Sequence, residues 1–237
     1  MERTDTLTRM QPRSLVTLAL LAVAVPAEAG PIDGKLVLPP AGVARPPARG
    51  RGFLEPIENP HLPLRAYDPM PSMVVVLEGA DAAPPATKPQ VTWDLLGDSF
   101  ARPVIAVRVG TELRIRNLGH GTPILTAVGQ PDLIARKPLN PTGEVLFDVG
   151  TQAGVIEISD ETSAHLRGRV LVTTSSQIAL PDGTGKFTFA DVPAGAWTVR
   201  VFYGSGWIER TDDKLTVDPR RQAITPALPP GLPVKAP

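Results

Sequence analysis

Residues Phe100–Asn117 read FARPVIAVRVGTELRIRN, and this stretch decides the fold class. The first half, Val104–Val109, is mainly apolar and stops at Gly110, which predicts a buried strand followed by a turn. The second half alternates strictly between charged and apolar residues. A period of two predicts a half-buried strand with Leu113 and Ile115 toward a core and the charged side chains toward water.

The rest of the chain carries the same kind of signal. Met73–Leu77 is an unbroken apolar run that predicts another buried strand. Further strands are predicted at Ile124–Val128, Glu144–Val149, Gly154–Ser159, Arg169–Thr173, Lys186–Phe189 and Trp197–Val201. The 28 prolines and 21 glycines favour short strands and many turns over long helices. We therefore expect an all-β protein built from β-sandwiches.

The N-terminal segment follows the three-part plan of a secretory signal peptide. Three arginines precede the mostly apolar run 14–27, and Ala27 and Ala29 supply small residues two apart before Gly30. The run is shorter than the roughly 20 apolar residues that span a bilayer, which favours a cleaved leader over a membrane anchor. We expect cleavage after Ala29 and a periplasmic or secreted protein with no membrane span.

Charge and cysteine content limit the partners and the chemistry. The chain has 24 Lys and Arg residues and 24 Asp and Glu residues, so it gives no electrostatic case for a nucleic-acid partner. It has no cysteine, so no disulfide can form and packing alone must hold it together in an oxidising compartment.

Two regions are rich in proline and have no periodic apolar pattern. The segment 39–71, which includes His61, is predicted to be a long solvated excursion. The segment 219–237 is predicted to be a tail that does not continue a sheet, because proline lacks the donor for a β ladder. Alternatives for both are a polyproline ligand or a spacer.

Phe100–Asn117 resembles the opening of cupredoxins, in which F-x-P leads into a strand, a Gly-Thr turn, a second strand and an Asn. The chain is more similar still to periplasmic cupredoxin-like proteins labelled methylamine utilisation proteins. In those, a Cys-x-x-His-x-x-Met loop precedes a strand and a D-x-x-G-x-F hairpin that ends in V-P-x-G, and Asp182–Trp197 is similar to that hairpin. The resemblance covers roughly Gly30–Leu38 and Met73–Val217.

The hairpin also resembles the second half of a carboxypeptidase regulatory-like, transthyretin-like sandwich, and Ile32–Val37 with Met73–Glu78 resembles its first half. The resemblance implies a Greek-key cupredoxin-like sandwich inserted in a transthyretin-like one, which is feasible when the inserted domain's ends lie close together. The expected divisions are a signal peptide at 1–29, a first half at 30–79 with the excursion at 39–71, a linker at 80–89, a cupredoxin-like domain at 90–174, a second half at 175–218 and a tail at 219–237.

The resemblance also assigns positions for the copper ligands. Aligned on Arg167-Gly168, it places Asp160 where the family has Cys, Ser163 where it has His and Leu166 where it has Met, and it places Pro123 at the first His. A type 1 copper centre needs two imidazoles and a thiolate. The chain is therefore expected to lack that centre and to carry no cofactor.

His120 and His165 lie in the two loops that would meet at this end of the sandwich. With Asp160 or Glu161 they suggest an alternative, a mixed site for copper(II) or zinc, because those ions accept imidazole and carboxylate ligands. The simpler interpretation is two ordinary loop histidines.

No motif of a serine hydrolase, zinc protease or P-loop enzyme occurs, so an enzyme is not expected. Tyr203 and Trp207 suggest either core packing or an exposed partner surface. We expect an exported, non-catalytic binding or scaffolding protein whose partner is an unknown periplasmic or envelope protein. The alternative is a periplasmic metal-binding protein that uses His120 and His165.

Overall fold

The computed structural model describes residues 29–39, 68–79, 87–209, 214–232 and 234–235. The predicted leader up to residue 28, most of the predicted Pro-rich excursion with His61, and most of the predicted linker 80–89 lie outside the described residues. Within those ranges the ordered elements are β-strands and one short 3₁₀ helix, Met70–Ser72. No helix among them is long and apolar enough to cross a membrane. The prediction of an all-β protein is confirmed.

The described residues form seventeen strands in four sheets. The strands are β1 (Ala29–Lys35), β2 (Met73–Gly79), β3 (Gln90–Leu96), β4 (Ser99–Phe100), β5 (Val104–Arg108), β6 (Glu112–Asn117), β7 (Leu125–Ala127), β8 (Glu144–Asp148), β9 (Gly154–Asp160), β10 (Arg167–Thr173), β11 (Ile178–Ala179), β12 (Lys186–Pro193), β13 (Gly195–Tyr203), β14 (Gly206–Ile208), β15 (Lys214–Val217), β16 (Gln222–Ile224) and β17 (Val234–Lys235).

The four sheets come from two different parts of the chain. Sheet 1 has the order β12-β1-β16, and sheet 2 has the order β11-β2-β13-β14-β17 with β15 paired to β13. Sheet 3 has the order β5-β10-β9-β7, and sheet 4 has the order β4-β3-β6-β8. Sheets 3 and 4 use only strands between residues 90 and 173, whereas sheets 1 and 2 combine strands from before residue 80 with strands from after residue 177.

Three apolar clusters join these sheets face to face. One lies between sheets 1 and 2 and includes Ile32 and Val201, and another lies between sheets 3 and 4 and includes Ile115 and Ile158. The third lies between sheets 2 and 3. It consists of the buried residues Val74, Val76, Val104, Leu171 and Phe202. Sheets 2 and 3 are therefore covered on both faces.

This arrangement explains why the two decisive patterns of the sequence differ. Met73–Leu77 is buried at every residue, because Val74 and Val76 face sheet 3 while Met73, Val75 and Leu77 face sheet 1. Strands covered on both faces are continuously apolar. The strand β6 lies in sheet 4, whose outer face meets solvent, and its burial alternates residue by residue.

Arg102 links the two pairs of sheets at one side. Its guanidinium donates hydrogen bonds to the carbonyl oxygens of Pro181 at 3.0 Å, Met70 at 3.2 Å and Met73 at 3.4 Å. Its own carbonyl accepts a hydrogen bond of 3.0 Å from the indole of Trp93. Burial lowers the pKa of the guanidinium, and Asp68 opposes that shift. The loop that carries Arg102 thus holds the turn at Met70 and the segment before β12 together.

The prediction that the C-terminal segment stays out of the sheets is wrong. Within it, β16 pairs in parallel with β1, β17 pairs antiparallel with β14, and Ala227 forms a bridge with Val37. Leu228 and Leu232 are buried in the cluster between sheets 1 and 2. Each strand is short enough to fit between prolines, so the missing donors fall outside the ladders.

Candidate functional site

Two loops meet at one end of the sandwich formed by sheets 3 and 4. One connects β6 to β7 and carries His120, and the other connects β9 to β10 and carries His165. The first loop ends at β7 and the second begins at β9. These two strands are neighbours, because Leu125 of β7 pairs with Asp160 of β9. The backbone N–H of Glu161 donates a hydrogen bond of 3.0 Å to the carbonyl oxygen of Ile124, which extends the contact into the loops.

Asp160 is a buried carboxylate at the junction of these loops, with 7% of its surface exposed. One carboxylate oxygen accepts a hydrogen bond of 2.8 Å from the backbone N–H of Ile124. The other accepts a hydrogen bond of 2.7 Å from the hydroxyl of Thr162. One oxygen therefore joins the two loops and the other holds its own loop, so both are bonded, as a buried carboxylate requires.

Asn117 shapes the first loop from its base. Its side-chain amide donates hydrogen bonds of 2.8 Å to the carbonyl oxygens of Gly121 and Leu139, and its side-chain oxygen accepts one of 2.9 Å from the N–H of Gly119. The side chain is 1% exposed, so these three bonds satisfy a fully buried amide. The loop closes tightly around it and leaves His120 exposed to solvent.

The second loop is also fixed by backbone bonds. The N–H of Leu166 donates to the carbonyl oxygen of Ser163 at 3.0 Å, and the N–H of Asp160 donates to the carbonyl oxygen of Leu166 at 3.2 Å. Leu166 is 2% exposed and packs into the core between sheets 3 and 4. Ser163 is partly exposed, and its hydroxyl lies 3.2 Å from the ring nitrogens of the exposed His165.

The residue that anchors the alignment of this loop, Gly168, is required by packing. A Cβ atom at Gly168 would lie 2.3 Å from the ring of Trp93 and 2.6 Å from the ring of Phe100. Those two rings are stacked with centroids 3.8 Å apart, so they leave no space for a side chain. The strand after the loop therefore approaches the aromatic pair through a glycine.

The residues at the four positions that the resemblance assigns to copper ligands do not fit a type 1 copper centre. The positions hold Pro123, Asp160, Ser163 and Leu166, which provide no thiolate, imidazole or thioether. Pro123 and Leu166 are buried, and Asp160 is engaged by its two hydrogen bonds. Among the residues that the structure describes, no three His, Asp or Glu side chains are grouped closely enough to hold a metal ion.

Surface charges around the loops form ion pairs. Arg136 approaches Glu161 at 2.7 Å, and this hydrogen bond raises the pKa of the Arg136 guanidinium. Glu157 of β9 pairs with Arg167 at 2.9 Å and with Arg169 at 3.1 Å. Exposed pairs of this kind contribute little stability, about 0–1 kcal/mol each. They neutralise the rim of the site without concentrating charge of one sign.

Two exposed leucines lie beside the first loop. Leu95 and Asn117 are opposite each other in the parallel pairing of β3 with β6, so Leu96 and Leu118 come next on both strands. Leu96 is 52% exposed and Leu118 is 47% exposed. The ends of these strands therefore present two apolar side chains to solvent, with Leu118 two positions before His120 in the chain.

The sequence analysis placed Asp160 at a candidate ligand position but did not predict its hydrogen bond from the N–H of Ile124. The available signal was the spacing Asp160-Glu161-Thr162, since an aspartate commonly bonds to a residue two positions further on. The partner N–H of Ile124 is distant in sequence and could not be read from any local pattern.

Trp207 was left between two interpretations, and it packs edge-on against Phe202 with Arg200 over its ring at 4.1 Å.

No family model and no curated protein matches the chain. Several solved structures do match part of it. A Cu(I) form of an amicyanin variant is 15% identical with a TM-score of 0.30, over 35% of this chain and 81% of that one. The purple cupredoxin from Nitrosopumilus maritimus is 15% identical with a TM-score of 0.32, over 35% of this chain and 98% of that one. The amicyanin from Paracoccus versutus is 14% identical with a TM-score of 0.30, over 37% of this chain and 83% of that one.

Proposed function

We propose that this chain is an exported, non-catalytic binding or scaffolding protein in which a cupredoxin-like sandwich, residues 90–174, has no type 1 copper centre. The observation that carries the proposal is the bonding of Asp160. At the position where the resembling family has the copper thiolate, this chain has a buried carboxylate whose two oxygens accept hydrogen bonds from Ile124 and Thr162. The loops that would carry metal ligands are fastened by the protein's own groups.

We infer further that the strands before residue 80 and after residue 177 form the transthyretin-like sandwich that the sequence resembles. Support comes from the pairing of β2 with β13 and of β1 with β12, which joins the two ends of the chain around the 90–174 segment. The buried cluster between sheets 2 and 3 makes the proposed transthyretin-like sandwich, sheets 1 and 2, a fixed support for the cupredoxin-like sandwich, sheets 3 and 4. A rigid support of this kind suits a protein that presents loops to a partner.

A non-catalytic role is favoured by the positions of the perturbed ionisable groups. Among the residues that the structure describes, the carboxyls with lowered pKa are Asp33, Asp148 and Asp182, each shifted first by a side-chain hydrogen bond, from Arg221, Lys88 and Thr184 respectively. They are on the surface and belong to separate ion pairs or turns. Catalytic sites bring perturbed groups together in a cleft, and these groups do not converge.

The candidate contact face is the end of the cupredoxin-like sandwich that carries Leu96, Leu118 and His120. Exposed apolar side chains beside a polar rim are typical of protein interaction sites. The partner is proposed to be a periplasmic or envelope protein, because the sequence predicts a leader that ends at Ala29.

The first experiment tests metal binding by the processed chain, residues 30–237, with copper(II) and zinc(II) titrated separately by calorimetry. We expect no stoichiometric binding beyond that of a His120→Ala/His165→Ala double variant. Tight one-to-one binding that the double variant loses would overturn the proposal in favour of a metal-binding function.

A second experiment tests the contact face. A photo-crosslinking amino acid is placed in turn at Leu96, Leu118 and Leu146, and the protein is irradiated in the exporting cell. Leu146 is a matched control, because it is 45% exposed on the outer face of the same sheet but lies away from the loops. We expect discrete adducts from Leu96 and Leu118 and none from Leu146. Equal labelling from all three positions would contradict the assignment of the face.

A further inference from the structure

The Ala29–Gly30 peptide bond, the predicted processing site, lies within the folded strand β1. In the ladder with β12, Ala29 is opposite Pro193 and Gly30 is opposite Val192. The strand β1 is also the middle strand of its sheet, since β16 pairs along its other side from Ile32 onward. The bond is therefore part of a sheet in the folded protein.

The other side of Gly30 is closed by the C-terminal part of the chain. Gly30 is buried, and a Cβ atom built on it would lie 2.7 Å from the carbonyl oxygen of Asp218 and 2.9 Å from that of Pro219. The backbone of residues 218–219 thus lies directly against Gly30. Together with Val192 and Pro193, it encloses the bond between two other segments of the chain.

We propose that the Ala29–Gly30 bond is hydrolysed only before the chain folds, because folding encloses it between residues 192–193 and residues 218–219. The inference rests on the proposed export. In the reaction a signal peptidase adds water across the bond. The carbonyl carbon of Ala29 gains the hydroxyl and becomes a carboxylate, the C–N bond breaks, and the nitrogen of Gly30 takes the proton and becomes the new N-terminal amine.

The topology sets the order of the two events. A peptidase must hold the residues around the bond in its own active site, so it acts on molecules in which that segment is open. The residues that close the site, 218–219, lie near the other end of the sequence. In a chain exported from its N-terminus, the bond stays free until almost the whole chain has emerged. The signal peptidase can therefore cleave the bond before folding encloses β1.

Gly30 is then required for folding and not for cleavage. Any side chain at this first residue of the processed chain would collide with the two carbonyl oxygens. A Gly30→Val variant separates the two requirements, since the peptidase acts on the open chain. It is expected to be processed normally and then to fold poorly.

The test measures cleavage of the purified full-length precursor by purified signal peptidase in detergent micelles, followed by intact mass. Wild-type precursor is compared with Val201→Asp, which places a charge at a fully buried core position, and with Thr198→Asp, which places the same charge at an exposed position of the same strand. We expect Val201→Asp to lose residues 1–29. Wild type and Thr198→Asp should be cut roughly a hundredfold more slowly, since cleavage of a folded chain follows the small population of opened molecules.

Each outcome shows whether cleavage of the Ala29–Gly30 bond precedes folding. Equal rates for the three precursors overturn the inference and leave the export proposal standing. Cleavage at a different bond, or no cleavage of any precursor by a peptidase that cuts a reference pre-protein, removes the predicted processing site and the inference with it.

Discussion

The carboxylate of Asp160 accepts a hydrogen bond of 2.8 Å from the backbone N–H of Ile124, although 36 positions separate them. The bond joins the end of β9 to the residue before β7, and the neighbouring bond from Glu161 N–H to the carbonyl oxygen of Ile124 reinforces it. A buried carboxylate thus joins the two loops at this end of the sandwich. It stabilises the end of the sandwich through the chain's own groups.

Replacing Asp160 by alanine should destabilise the protein by about 1–3 kcal/mol, because it leaves the N–H of Ile124 without its partner. Asp160→Asn should cost less, since its side-chain oxygen still accepts. Urea unfolding monitored by tryptophan fluorescence measures both. The exposed loop variant Asp98→Ala is the control and should stay within about 0.5 kcal/mol of wild type. An Asp160→Ala variant as stable as this control would show that the bond contributes nothing.

Introducing the ligands of the family that the sequence resembles should create a copper site if the alignment of the loops is right. The variant carries Pro123→His, Asp160→Cys, Ser163→His and Leu166→Met. With copper(II) it should show the intense visible absorption of a copper–thiolate bond, since it again supplies two imidazoles, a thiolate and a thioether. The triple variant that keeps Asp160 should show no such band. A fully folded quadruple variant that binds copper without the band would place the loops out of register with that family.

Arg102→Ala should lower the free energy of unfolding by about 1–3 kcal/mol, because the carbonyl oxygens of Pro181, Met70 and Met73 lose a charged donor. Arg102→Lys should recover only part of the loss, since one ammonium cannot reproduce the planar fork that reaches separate acceptors. Arg136→Ala removes an exposed ion pair and should change stability by under about 1 kcal/mol. Equal losses from Arg102→Ala and Arg136→Ala would argue against the link between the two pairs of sheets.

The stability of the protein should fall with acid in part through Asp182. Its carboxylate accepts hydrogen bonds from the hydroxyl of Thr184 and from the N–H groups of Lys186 and Thr184, and these bonds lower its pKa below the ordinary value of 3.8. A carboxyl with a lowered folded-state pKa contributes stability that is present above 3.8 and lost as the pH falls through the lowered value. Its stabilising effect therefore disappears only under acid conditions.

The measurement is the thermal unfolding midpoint of wild type and Asp182→Ala between about pH 6 and pH 2. The variant should unfold at a lower temperature near neutrality, and the difference should shrink toward the acid end. A constant difference across the range would mean that the hydrogen bonds of Asp182 do not distinguish its charged form.

Strands whose environment repeats along the chain were predictable. The alternation in β6 reports one solvated face, and the unbroken run in β2 reports two covered faces, so both were found at nearly the observed bounds. The strand β3 was missed, although Val91, Trp93 and Leu95 alternate with the polar Thr92 and Asp94, a period of two that is typical of a half-buried strand. It forms because β6 provides a parallel partner, with Trp93 opposite Ile115.

The same distinction holds at the candidate site. The absence of cysteine was visible in the sequence, and it leaves the chain without the thiolate that a type 1 copper centre requires. The role of Asp160 was not visible, since its partner Ile124 lies in the other loop, distant in sequence. The C-terminal strands were missed for a related reason: the proline content suggested a tail, and only contacts with β1 and β14 show where its short apolar segments pair.

By itself, the sequence determined the all-β class, the strands with a regular apolar period and the lack of a thiolate for blue copper, because each depends on residue type or on neighbours along the chain. Only the tertiary structure decided that Val76 and Leu171 share a buried cluster, that Asp160 fastens Ile124, and that residues 218–219 enclose Gly30. Those contacts join residues far apart in the chain. A local sequence pattern indicates that a side chain is buried, but only the folded structure shows which residues bury it.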